Sequence, residues 1–129
     1  MDKLFELGIS EDSLIFMLEQ CYDIINMSDK EISDKIDILR YVLCNDRQIK
    51  NIISSNPNYL VRIDDDVLKL IKYLKDIGFN SLNMLFDENP YFLNYDVFEI
   101  EEYINDRLNS GITLDEVIDE IKTNPFIIV

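Results

Sequence analysis

Three Asn-Pro dipeptides, Asn56-Pro57, Asn89-Pro90 and Asn124-Pro125, each follow a helical apolar pattern and precede a short run of aromatic and branched residues. Proline fixes its own φ, lacks an amide hydrogen and disfavours a helical conformation in the residue before it, so each dipeptide ends a helix at a defined place. Pro57 and Pro90 stand 33 positions apart, and Pro90 and Pro125 stand 35 apart. A chain punctuated at that interval, with two helical patterns per interval, buries its apolar faces by stacking each unit on its neighbours. The expected fold is therefore all-α: a right- or left-handed α-solenoid of about four two-helix repeats, over 1–27, 28–61, 62–94 and 95–129, forming a single domain across 1–129.

The apolar spacing agrees with that frame. Leu14, Met17, Leu18 and Cys21 follow the i, i+3, i+4, i+7 stripe of an amphipathic helix, and the same spacing returns 100 positions later as Leu114, Val117, Ile118 and Ile121. Ile32, Ile36, Leu39 and Leu43 predict a helix running to about Leu43, and Ile49, Ile52 and Ile53 predict the next. Val67, Leu70, Ile71, Leu74 and Ile77 form one face up to Gly78, Leu82, Leu85 and Phe86 a short helix, and Val97, Ile100, Ile104 and Leu108 a long one ending at Ser110-Gly111. Ser28 with Glu31 and Thr113 with Glu116 read as capping boxes, and Asn45 reads as a cap. Counting back 35 from Pro57 reaches Tyr22, so the first copy lacks its proline.

The unit combines a helix ending in Leu-x-x-[Leu/Ile]-Gly-[Ile/Phe], a second helix, and Asn-Pro-x-[Leu/Phe/Ile]-[Leu/Ile]. Leu4–Ile9, Leu74–Phe79 and, more loosely, Leu108–Ile112 carry its first part; Asn56–Leu60, Asn89–Leu93 and Asn124–Ile128 carry its second. This pattern resembles the repeat of the mitochondrial transcription termination factor family. The resemblance implies units of two α-helices with a short 3₁₀ turn after the proline, and a surface that contacts nucleic acid through basic side chains. Only the leucines, glycines and prolines map onto this chain, and no run of arginines recurs once per repeat.

Charge narrows the partners. The chain carries 26 acidic and 12 basic residues, a net charge of -14, which opposes uniform attraction to a phosphate backbone or an anionic membrane and suits a basic protein partner. The balance is uneven: residues 1–34 hold nine acids and two bases, 35–75 five acids and eight bases, and 76–129 twelve acids and two bases. Arg40, Arg47, Lys50, Arg62, Lys69, Lys72 and Lys75 thus form a candidate patch for an anionic partner, or a solvated face paired with neighbouring carboxylates.

Catalytic and metal chemistry find little support. Histidine is absent, which removes the commonest general base and metal ligand, and Cys21 and Cys44 lie in helical patterns without a metal-binding or redox spacing. Asp64-Asp65-Asp66 lacks the glycine and bidentate glutamate of a calcium loop and reads as the cap and dipole partner of a helix start. Glu99, Glu101, Glu102, Asp115, Glu116, Asp119 and Glu120 read as exposed helix faces rather than a paired-carboxylate site. The aromatics Tyr59, Tyr91, Phe92, Tyr95, Phe98 and Tyr103 read as core, since base stacking would need interleaved cations.

The expectation is a non-enzymatic binding module, without cofactor or metal, engaging a basic protein through acidic surfaces. Two alternatives stand beside it: a nucleic-acid binder using the central basic repeat, and an acidic DNA mimic that inhibits a nucleic-acid-binding enzyme. No apolar run approaches membrane-spanning length and no secretory or Arg-rich leader is apparent, which predicts a cytoplasmic protein without a membrane partner. Phe126, Ile127, Ile128 and Val129 are candidates for self-association into a homodimer, because no helix follows to cover them.

Overall fold

The computed structural model describes residues 1–124. Helices and 3₁₀ turns account for most of them, and no strand occurs among the described residues. The chain divides into two compact units, Met1–Arg62 and Ile63–Val129.

The first unit contains α1 (Asp2–Glu6), α2 (Glu11–Gln20), the 3₁₀ turn η1 (Tyr22–Asn26), α3 (Asp29–Tyr41), α4 (Asp46–Ser55) and the 3₁₀ turn η2 (Pro57–Val61). Its helices pack one repeat apart, α1 on α3 and α2 on α4, while η2 lies against both α2 and η1. Leu4, Met17, Ile32, Leu39, Ile49, Ile52 and Ile53 are fully buried between them. The buried Tyr59 ties η2 to α3, its hydroxyl donating to the Lys35 carbonyl at 2.6 Å. The second unit contains α5 (Asp64–Ile77), α6 (Leu82–Glu88), the 3₁₀ turn η3 (Pro90–Asn94), α7 (Val97–Asn109) and α8 (Leu114–Thr123). There α5 packs on α7 and η3, α7 on α8, and α6 on η3. Phe92 sits at the centre of an aromatic cluster, 6.4 Å from Phe86 and edge-on to Tyr95 at 5.2 Å.

Two backbone devices repeat and define the unit. The first joins helix to 3₁₀ turn through one residue, Cys21, Asn56 or Asn89, with φ between -145 and -134 and ψ between 71 and 85. Each donates its amide back into the helix, Asn56 to Ile52 at 2.9 Å, and accepts from the turn ahead, Tyr59 to Asn56 at 3.1 Å. Cys21 does the same without a following proline, so η1 starts at Tyr22, the position that counting by 35 indicates.

The second device ends the first helix of each repeat, α1, α3, α5 and α7. A residue with positive φ donates to a carbonyl three residues back, and the next amide reaches five residues back. Gly78 and Phe79 do so, to Lys75 at 3.1 Å and Leu74 at 3.0 Å, and Gly8 with Ile9 and Gly111 with Ile112 do likewise. The remaining copy corrects the expected helix end. Leu43 does not extend the α3 stripe: α3 stops at Tyr41, and Leu43 adopts φ 70, donates to Arg40 at 2.9 Å and is 80% exposed, while Cys44 donates to Leu39 at 3.0 Å. Leucine here occupies the place held elsewhere by glycine.

The helix starts follow their capping chemistry with two departures. Ser28 and Glu31 form the expected box, and Asn45 forms a full box with Gln48. At α8 the Glu116 amide donates to the Thr113 hydroxyl at 3.3 Å, but the Glu116 carboxylate meets that hydroxyl at 3.0 Å instead of the Thr113 amide. Asp64, Asp65 and Asp66 occupy the first turn of α5, where their charge meets the helix dipole; the residue before them is Ile63, so none of the three acts as the cap.

Candidate binding surfaces

The seven cations of the candidate patch fall in both units. In the first, Arg40 is exposed in the last turn of α3 and donates to Asp46 at 3.3 Å, and Arg47 and Lys50 are exposed on α4. Lys50 extends towards the first helix-ending turn, its Nζ 3.8 Å from where a Gly8 side chain would begin. Arg62 follows η2 and is half-buried. In the second unit Lys69, Lys72 and Lys75 are all exposed on α5, three residues apart as an exposed helical row requires. Lys72 meets Asp76 at 2.7 Å, and that hydrogen bond, with the attraction between the charges, pushes its ammonium above the usual lysine range.

Acidic groups set the electrostatics around the second unit's phenols. Burial pushes Tyr73 and Tyr95 above the ordinary phenol range, and the carboxylates of Glu101 and Glu99 push each the same way. Arg107 bridges α7 to α8 by a bidentate contact with Glu120, at 2.8 and 3.3 Å, and that hydrogen bond raises its already high pKa. Nothing in the spacing of Arg107 and Glu120 identifies this pair from sequence, because it depends on how α7 meets α8.

Among the described residues no group of three or more His, Cys, Asp or Glu side chains could hold a metal ion. Cys21 and Cys44 are buried and form no disulfide among the described residues, and burial, then the charge of Asp23, pushes the Cys21 thiol up, away from nucleophilic chemistry. A cavity of about 230 Å³ in the second unit is lined by Phe79, Ser81, Met84, Leu85, Glu88 and Lys122, with mostly apolar walls.

The aromatic residues divide. Tyr59 and Phe92 are fully buried, as a core reading requires, whereas Tyr91 and Phe98 are 54% and 71% exposed. Sequence reasoning also missed four apolar side chains on α2 and η1 that face solvent: Ile15, Phe16, Tyr22 and Ile25. A signal for two of them was present. Asp12, Ile15, Phe16 and Glu19 repeat the i, i+3, i+4, i+7 spacing on the side of α2 opposite Leu14 and Met17, giving that helix a second, mixed stripe. The candidate self-association residues Phe126, Ile127, Ile128 and Val129 lie outside the described residues.

None of the described helices is long and apolar enough to cross a membrane. The family model described as mTERF matches residues 1–129. Comparison with the curated proteins and with the solved structures gives no match.

Proposed function

The chain belongs to the mTERF family over its whole length, a family of helical-repeat binding factors, and on that footing we propose that it is a non-enzymatic module whose principal partner is a basic protein surface. The observation that carries this reading is that both compact units are net acidic. Met1–Arg62 contains eleven acids and seven bases, and Ile63–Val129 contains fifteen acids and five bases. Cations in such surroundings pair with their own carboxylates, as Arg40 does with Asp46 and Lys72 with Asp76, which weakens their draw on phosphate. We take the four repeats to act as one domain, with the cytoplasm as its compartment.

A second reading has one observation in its favour: the exposed row of Lys69, Lys72 and Lys75 on α5 suits contact with a phosphate backbone. Copurification from the native host followed by mass spectrometry, alongside gel-shift titrations with random duplex DNA and RNA at low salt, separates the two. The protein-partner reading expects a basic protein released by rising salt and no shift of either nucleic acid. A shift that disappears when Lys69, Lys72 and Lys75 are all changed to Glu would overturn it and leave the nucleic-acid reading in place.

A further inference from the structure

We propose that the α2–η1 surface of the first unit docks a basic amphipathic helix of a partner protein; this rests on the protein-partner reading and names its site. Ile15 and Phe16 on α2 and Tyr22 and Ile25 on η1 leave 55%, 57%, 68% and 47% of their surface exposed. The repeat supplies an internal control for the first two. Counted back from the C-terminal caps Cys21, Asn56, Asn89 and Asn124, the matching positions are Lys50 and Asn51 in α4, Asn83 and Met84 in α6, and Ile118 and Asp119 in α8; α4 is polar at both, so the architecture does not require an apolar pair there.

The repeat also shows what covers the other two. Leu60 holds Ile25's place in η2 and is fully buried, and η2 packs against α2 and η1 of the preceding repeat. In the first unit, then, η2 is covered by a helix and its following turn. The first repeat presents the equivalent turn with Tyr22 and Ile25 uncovered, and a helix from a partner reproduces the packing that α2 gives η2.

Charge decides which helix. Between Lys3 and Lys30 no basic residue occurs, while Glu6, Glu11, Asp12, Glu19, Asp23 and Asp29 do. Asp12 and Glu19 bracket Ile15 and Phe16 along the outward stripe of α2, so the apolar anchors have an acidic rim. A helix with apolar anchors flanked by Lys and Arg buries the first and pairs the second, the rim charges steering and orienting it. A second copy of this chain, with net charge -14, meets repulsion there instead, as does an anionic membrane.

The test titrates the full-length protein against a fluorescent peptide of about 18 residues with Leu and Phe on one helical face and Arg and Lys on the other. A scrambled peptide of identical composition serves as control. The expected result is at least tenfold tighter binding of the amphipathic peptide. Phe16→Ser with Ile25→Ser should lose about tenfold while keeping the helical circular dichroism, and Asp12→Lys with Glu19→Lys should weaken binding and flatten its salt dependence. If the double serine variant loses its helical signal, Phe16→Lys alone gives the same reading from a side chain that is more than half exposed.

Equal affinity for both peptides, or wild-type binding by the serine variant, overturns the docking site and leaves the acidic-surface reading standing. Failure of both peptides to bind at low salt overturns both. Sedimentation of the protein alone supplies the remaining arm: a dimer that Phe16→Ser with Ile25→Ser converts to monomer would make a second copy the occupant and overturn the basic helix.

Discussion

At the scale of single residues, Leu43 carries the clearest consequence of the repeat. Its φ of 70 is one that L side chains with a Cβ adopt at a cost of about 1–2 kcal/mol, and it exposes 80% of its surface, so little burial offsets that cost. Leu43→Gly should raise stability by about 1 kcal/mol in urea titrations, whereas the reverse change at Gly78 meets both a φ of 116 and the Ile118 side chain at 3.4 Å. An unchanged or lowered stability for Leu43→Gly would show that leucine is held without strain. Leu43 also marks a limit of sequence reading. Its type and its place in a helical spacing both argue for core, and only its distance of 35 from Gly8 and from Gly78 points to a turn. Tyr73 and Tyr95 provide a titratable test. Their phenolic protons are held more tightly in the folded state than in the unfolded chain, so folding loses stability as pH rises past the ordinary phenol range. Tyrosinate absorbance should rise in part beyond that range in the native protein and return to a single ordinary transition in urea; one ordinary transition in both would contradict the assigned burial.

Among elements, helix starts and stops were the most legible feature, because capping and proline chemistry act within four residues and need no tertiary partner. Ser28 with Glu31 satisfies two amides at the start of α3, at 3.1 and 3.2 Å. Ser28→Ala should cost about 1 kcal/mol, read as a lowered urea midpoint with unchanged slope. A loss no larger than that of Ser55→Ala, an exposed serine at the end of α4, would remove the cap's role. The 3₁₀ turns divide in the same way. η2 and η3 are announced by Asn-Pro, whereas η1 forms at Tyr22 with Cys21 in asparagine's place and no proline after it. Sequence spacing reaches that position, but the turn itself comes from its packing against α2 and η2. The outward stripe of α2 stayed hidden for a related reason: one helix carries two i, i+3, i+4, i+7 patterns, and periodicity alone does not say which side the neighbours cover.

For the whole molecule, the class of fold was readable and the binding surfaces were not. Apolar period and proline spacing record how each repeat meets the next, so family membership and helical-repeat architecture follow from them. Binding depends on which charges are already paired and which apolar groups remain uncovered, and those are properties of packed helices. The net charge of -14 leads to a prediction at this scale. Self-repulsion within the compact chain is screened by salt, so raising NaCl from about 10 mM to about 300 mM should raise the melting temperature while weakening the binding of a basic partner. A melting temperature that falls with salt would mean that the internal ion pairs, not the excess of carboxylates, dominate the balance. The adjacency of contacts has a further consequence, in time. Elements of Met1–Arg62 pack on neighbours at most one repeat away, as α1 does on α3 and η2 on α2, so little of that half waits on distant sequence. With synthesis at roughly 5–20 residues per second, Ile63–Val129 takes a ribosome several seconds to make, after every internal partner of the first half has been joined. On the docking site proposed above, the surface around Ile15, Phe16, Tyr22 and Ile25 would meet its partner while the second half is still being made.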